Sequence, residues 1–204
     1  MRKLGEPKMN IQPIAHIKTD FPTKFGIPRQ SGLAPNLEAT IIFEPAYRSP
    51  QALRGIEGFS HLWLIWGFSA NTDKAWSPTV RPPRLGGDAR MGVFATRSSF
   101  RPNGLGLSCV RLLGLEDSPE GKVLLVAGAD LMDKTPIYDI KPYLPYADSI
   151  ADAASGFISS HDWPKLEVTD PQGALALIPP SKQAALIDVL AQDPRPAYQD
   201  NPSR

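Results

Sequence analysis

Proline limits what this chain can fold into more than any other residue. It fills 22 of 204 positions, about twice the usual share of roughly 5%. A proline removes a backbone donor and fixes φ, so it blocks helix interiors and cannot serve the ladder of a central strand. Long regular elements are therefore few and ordered loops many. The apolar share, 42%, is that of a globular protein with enough material for a core. The length fits one domain, or one with a small appendage.

Between the prolines the apolar residues fall mainly in strand-like runs. Residues 11–18 (IQPIAHIK) alternate well enough for a short first strand, with Pro13 placing it near a sheet edge. Residues 21–35 are rich in Pro and Gly and read as a loop. The run 37–44 (LEATIIFE) is a second strand, rich in β-branched and aromatic side chains. A helical turn fits 51–54, and 60–69 (SHLWLIWGFS) reads as a central strand that opens with His61 as a hydrogen-bonded core residue. Two more strands fit 107–115 and 122–131 around a hairpin turn at 116–121. In the second of these, Val123 and Leu125 share one face while Leu124 and Val126 share the other. Both faces are then covered, or the sheet closes into a barrel. Residues 137–143 are extended and broken by proline, and 144–170 are polar and weakly patterned. One helix is clear, at 181–192: Ser181 caps it, Ala184, Ile187, Leu190 and Ala191 form its stripe, and Asp193-Pro194 stops it.

Net charge is +1, so any polyanion binding must come from a local patch rather than from the whole molecule. The stretch from Val80 to Ser108 supplies one. It holds Arg81, Arg84, Arg90, Arg97 and Arg101 against the single acid Asp88, with Pro/Gly clusters flanking a strand-like run at 91–96. Rigid turns that hold guanidinium groups suit an anionic ligand, because Arg presents a planar fork of donors that fits phosphate or carboxylate. Pro28-Arg29-Gln30 reads alone either as a solvated turn or as a second point of ligand contact.

Other chemistries lack their residues. His16, His61 and His161 are far apart without ligand spacing, so no metal site is expected. There is no nucleophile elbow or P-loop, and Gly86-Gly87 is not followed by a helix pattern, so it is no dinucleotide fingerprint. Cys109, the one cysteine, reads as a small buried apolar residue and fits a reducing compartment. With no run approaching about 18 apolar residues and no secretory pattern after the basic start, a cytoplasmic protein is expected. Bottom-up, the pattern supports binding of an anionic small molecule or an RNA and names no reaction.

Several consecutive blocks carry a resemblance. PRQ at 28–30, GxxxFSHLW at 55–63, RPPRLGG at 81–87, GVFATRSxFRPN at 92–103, DxxDxTP at 130–136 and DIKPYLP at 139–145 resemble the TsaA-like, TrmO-type family of β-barrel methyltransferases. DPRPAY at 193–198 resembles that family's small C-terminal domain. The resemblance implies a mainly β fold: a disordered extension at 1–10, an antiparallel β-barrel that binds S-adenosylmethionine at 11–146, a linker at 147–164, and a small α+β appendage at 165–204 that continues further in other members. It implies a homodimer that methylates the N6 nitrogen of threonylcarbamoyladenosine next to the anticodon of threonine tRNA. Cofactor contacts carried over are Pro28, Arg29, Gln30, Ser69, Ala70, Arg97, Leu107, Asp133, Lys134, Thr135 and Pro136. Asp139, Lys141 and Tyr143 are candidates for handling the acceptor's proton, and Arg84 and Arg101 for the substrate's carboxylate. Two competing readings use the same barrel without catalysis, as an S-adenosylmethionine-binding regulator or as an RNA-binding module whose arginines contact phosphates.

Overall fold

The computed structural model describes residues 10–70, 75–82, 89–160 and 164–194. Most of the expected extension, 1–9, lies outside these. Eight strands are present among the described residues: β1 (Ala15–Lys18), β2 (Glu38–Phe43), β3 (His61–Gly67), β4 (Thr79–Val80), β5 (Met91–Gly92), β6 (Leu105–Ser118), β7 (Gly121–Ala127) and β8 (Pro136–Pro142). Two α-helices follow, α1 (Pro145–Asp148) and α2 (Pro180–Ala191). None of the described helices is long and apolar enough to cross a membrane.

Six strands form one sheet in the order β1-β2-β7-β6-β3-β8, every neighbouring pair antiparallel. β8 pairs back onto β1, Ala15 opposite Ile137, so the sheet closes on itself. β1 is therefore not an edge strand. Pro13 stands before it, and Ile14 N–H already donates to Ile137 O at 2.8 Å. β4 and β5 make a separate two-stranded ribbon in the connection from β3 to β6.

Alternation along the strands fills the interior. Ile17, Ile41, Leu62, Leu64, Val110, Leu124, Val126 and Ile137 are all fully or almost fully buried and belong to one cluster. Each such side chain contributes roughly 1.5–3 kcal/mol of burial energy. Val123 and Ala127 are also buried, on the opposite face of β7 from Leu124 and Val126. Beyond β7, Gly32 N–H donates to Gly128 O and Gly128 N–H to Leu37 O, both at 2.8 Å, so the loop before β2 lies directly on this strand's end.

Two local expectations are corrected. Residues 91–96 are not a continuous strand: after the two residues of β5 the chain turns into a 3-10 turn at Val93–Ala95. The cause lies just downstream. Arg101 Nη1 donates to Val93 O (3.3 Å) and Thr96 O (2.6 Å), and Thr96 Oγ1 donates to Val93 O (2.9 Å), so local donors satisfy carbonyls that a strand would offer to a neighbour. In α2 the buried residues are Ala185 and Val189, while Ile187 and Leu190 are exposed. The face is chosen by what it meets: Ala34, Leu37 and Phe21 of the β1–β2 connection. Pro180 takes the first helical position, where its missing N–H costs nothing, and Ser181 falls inside the first turn instead of capping it.

The stretch after β8 is tied to the sheet at its start. Asp148 Oδ2 accepts from Leu144 N–H (2.8 Å) and from the Trp63 indole N–H (3.0 Å).

Gly106 on β6 faces Trp66 on β3 so closely that an added Cβ would overlap the indole ring. Gly106→Ala should therefore destabilise the fold by roughly 1–3 kcal/mol through overpacking, read from denaturant unfolding. Gly58→Ala, with open space around its Cβ position, should move the midpoint far less. Equal effects would remove the packing explanation.

Candidate functional site

Closing an antiparallel sheet sends alternate connections to opposite rims. One rim receives the connections β1–β2 (residues 19–37), β3–β6 (residues 68–104) and β7–β8 (residues 128–135). Pro28, Arg29, Gln30, Ser69, Ala70, Arg97, Arg101, Asp133, Lys134 and Thr135 all lie on these three connections, far apart in sequence and together at one end of the sheet. Arg84 lies outside the described residues.

A hydrogen-bond chain joins this rim to the core. The buried Trp66 donates its indole N–H to Ser108 Oγ at 2.9 Å, and Ser108 donates onward to Asp130 Oδ1 at 2.5 Å. Burial pushes the Asp130 carboxyl above the ordinary aspartate range. The Ser108 hydroxyl, Asp130's own amide, the Arg97 charge and the Ser31 amide offset part of that rise. Arg97 Nη1 donates to Gln30 Oε1 at 2.5 Å, and Gln30 Nε2 donates to Arg29 O at 2.6 Å. Ser31 Oγ accepts the Cys109 amide at 3.1 Å, fixing the loop against β6. Arg97, Gln30, Ser31, Ser108 and Asp130 thus form one polar cluster drawn from four separate segments. Asp130, Ser108, Ser31 and Trp66 were not among the site residues expected from sequence. The first Asp of the DxxDxTP block was the one available signal for Asp130.

The other expected residues take distinct places. Pro28 is buried, and Arg29 Nη2 donates to Asp193 O, just past α2, at 2.9 Å. Ser69 and Ala70 are exposed at the end of β3. Asp133 Oδ1 accepts the Thr19 amide at 3.1 Å, Lys134 adopts a left-handed φ of 63°, and buried Thr135 Oγ1 donates to Met132 O at 2.7 Å. This turn is therefore tightly held next to the end of β1, with Pro136 opening β8 opposite His16. Leu107 is 53% exposed on the outer face of β6, in a row with Ile65 of β3 and Asp139 of β8.

Asp139 and Lys141 form an ion pair at 2.8 Å. Tyr143 sits beyond the end of β8 that faces away from the three connections, with its N–H donating to His61 O and its ring packed near His61 and Trp63. At about 3.3 Å per residue it lies about 23 Å along the strand direction from Pro136. His61 is hydrogen-bonded, to Ser60 Oγ at 2.9 Å, but on the half-exposed outer face and not in the core. Cys109 is likewise half-buried. Burial, and secondarily the Asp148 charge, raise its thiol pKa, which leaves it a poor nucleophile. Among the described residues no group of three or more His, Cys, Asp or Glu could hold a metal ion.

Comparison with known proteins gives consistent results. The family described as tRNA-methyltransferase O N-terminal domain matches residues 16–149. The chain is 42% identical over 191 residues to the tRNA (adenine(37)-N6)-methyltransferase of Escherichia coli (strain K12), covering 91% of this chain and 81% of that protein. It is 45% identical over 197 residues to a putative S-adenosylmethionine-dependent methyltransferase, RcsF, of Pseudomonas aeruginosa, covering 93% and 83%. The crystal structure of TrmO from Pseudomonas aeruginosa superposes with a TM-score of 0.72 at 38% identity, over 92% of this chain and 83% of that one.

The environment of Asp130 predicts a pH dependence with a definite sign. A carboxyl whose folded-state pKa is raised adds stability below its unfolded pKa, about 3.9, and loses that contribution as pH rises through the folded value. Wild type should therefore lose stability relative to Asp130→Asn as pH is raised from about 4, measured by urea unfolding. Parallel profiles would mean that Asp130 titrates as a surface acid does.

Proposed function

This chain belongs to the tRNA-methyltransferase O family, and on that premise we propose that it is an S-adenosylmethionine-dependent methyltransferase acting on N6 of adenosine 37 of a tRNA. The finer reading is that the acceptor is threonylcarbamoyladenosine in threonine tRNA, and that the closed sheet is the family's β-barrel, spanning residues 11–146. The observation that supports it best is the cluster of Arg97, Gln30 and Asp130, which lies within the matched segment and is anchored to the core through Ser108 and Trp66.

The residues of the rim suit the cofactor's chemistry. S-adenosylmethionine presents a carboxylate, an ammonium group and an adenine with an apolar face. Arg97 and Arg29 offer cations for the carboxylate, Asp130 and Asp133 offer acceptors for the ammonium, and exposed Leu107 offers an apolar contact for adenine. Gln30 and Pro28 shape the loop from which Arg29 projects, and backbone groups at Lys134–Pro136, together with Ser69 and Ala70, complete the cradle. The bound cofactor supplies a methyl group already activated on a sulfonium, so positioning by the protein provides much of the acceleration.

The acceptor nitrogen lies between adenine and a carbamoyl group. Its lone pair is delocalised and its proton is comparatively acidic, so a nearby carboxylate suffices to take it. Of the three residues considered for this role, Asp139 shares a row with Leu107, and Lys141 holds it in place through their ion pair. We assign the proton to an Asp139 carboxylate oxygen and give Tyr143, at the far end of β8, a packing role. For Arg84, which lies outside the described residues, the family blocks suggest a partner role for the threonyl carboxylate of the substrate. Arg101 acts on the substrate indirectly, by bracing the turn at Val93–Ala95. Exposed Leu113 on β6 gives a second copy an apolar side chain to cover, which supports a homodimer. The tRNA substrate and the single cysteine suit the cytoplasm. Residues 147–164 act as a linker, and 165–204 as a small C-terminal unit whose helix α2 grips the β1–β2 connection through Asn36 with Asp188 and Asp20 with Lys182.

The test is methyl transfer from labelled S-adenosylmethionine to threonine tRNA that carries threonylcarbamoyladenosine, followed by nucleoside mass analysis. A methylated nucleoside is expected, and its absence under cofactor saturation would sink the enzymatic reading. Arg97→Ala should weaken cofactor binding by tenfold or more, since a charge-assisted hydrogen bond contributes roughly 1.5–3 kcal/mol, while leaving the unfolding midpoint little changed. Wild-type affinity in calorimetry would remove Arg97 from the cofactor site.

A further inference from the structure

The connection between β3 and β6 displays two aromatic rings that the cofactor site does not use. Trp76 is 52% exposed and Phe94 is 75% exposed. Both flank the ribbon built by β4 and β5, where Thr79 pairs with Gly92. In that antiparallel register Trp76, three residues before Thr79, and Phe94, two after Gly92, lie toward the same end. Val93 N–H donates to Pro78 O (3.0 Å) and Ser77 N–H to Phe100 O (3.1 Å), which keeps the two segments together past the paired residues.

Phe94 is presented by a rigid turn. Its neighbour Val93 is buried, and the Val93 carbonyl accepts three donors at once: the Thr96 amide, Thr96 Oγ1 and Arg101 Nη1. A turn fixed in this way orders an exposed ring without requiring the ring itself to be buried. Among the described residues of this connection the charges have one sign. Among residues 75–82 and 89–104 the ionisable side chains are Arg81, Arg90, Arg97 and Arg101, with no acid. Arg90 reaches back to Thr79 Oγ1 at 3.4 Å, which places its cation over the ribbon.

Exposed aromatic rings interleaved with arginines are what unpaired nucleotides need. Bases stack on rings whatever their sequence, and guanidinium groups meet the phosphates between them. We propose that Trp76 and Phe94, flanked by Arg81 and Arg90, form a stacking platform for unpaired bases in the tRNA loop that carries the target adenosine. This rests on the tRNA methyltransferase reading and extends it, since it assigns the substrate's loop to a surface built from the same connection that supplies Arg97. A paired stem, whose bases are already stacked, would gain only the phosphate contacts.

The experiment measures full-chain protein binding to two RNAs, a hairpin with an unpaired anticodon-type loop and a fully paired duplex of equal length. Wild type should prefer the hairpin, and hairpin binding should quench Trp76 fluorescence. Phe94→Ala and Trp76→Ala should each weaken hairpin binding about tenfold and raise KM for tRNA, with duplex binding and cofactor affinity unchanged. Phe94→Tyr, which keeps the ring, should restore binding. Variants that bind the hairpin as wild type does, in an enzyme that methylates tRNA, would overturn the platform alone. So would a loss of binding that tracks dissociation of a dimer, because the rings would then face a second copy of the chain. A wild type that binds cofactor yet neither binds nor methylates tRNA would instead overturn the functional reading on which the platform rests.

Discussion

Pairing of β8 with β1 is the constraint from which the rest of this structure follows. Once Ala15 stands opposite Ile137 the six-stranded sheet has no free edge, and every strand is bonded on both sides. The interior is then sealed by residues such as Ile17, Leu64, Leu124 and Ile137. Closure also fixes where the connections go. In an antiparallel ring they alternate between rims, so the β1–β2, β3–β6 and β7–β8 connections meet although as many as 114 residues separate contacting partners such as Thr19 and Asp133. The candidate site is a consequence of that alternation, and no single segment contains it.

Proline and closure work together. Every proline among the described residues lies outside the strands or at a strand's first or last position, as Pro136 and Pro142 do in β8, or at the first position of a helix, as Pro145 and Pro180 do. None interrupts a ladder. The many prolines therefore stiffen the connections, which is where a ligand site needs order. The chain from Trp66 through Ser108 to Asp130 adds a second source of order. It carries the position of a core residue out to the polar cluster, so that Arg97 and Gln30 are set by packing inside the sheet.

Legibility in the sequence followed the range of the interactions. The strands β2, β3 and β7 were readable because their apolar patterns are local and interrupted by clear turn residues. The length of α2 was readable for the same reason, but its buried face was not. Ala184, Ile187 and Leu190 make the more apolar stripe, yet the helix turns Ala185 and Val189 toward Ala34 and Leu37, a surface that exists only after the β1–β2 connection has folded. The run at 91–96 misled because its carbonyls are taken by Arg101 and Thr96, a side-chain contest that strand propensity does not register. Asp130 was hidden by distance: its partners at positions 31, 97 and 108 converge only when β6 and β7 lie side by side. Family blocks contain Arg97 and Asp130, while Ser31, Ser108 and all the mutual contacts required the fold.

On the proposed reading, the cofactor is held at one rim by three connections that closure brings together. Amide hydrogen exchange with and without S-adenosylmethionine tests it directly. Bound cofactor should slow exchange together at residues 28–31, 97–107 and 133–136, and leave the segment around Tyr143 and α1 unchanged. Protection confined to the Tyr143 end, or to one connection alone, would contradict it.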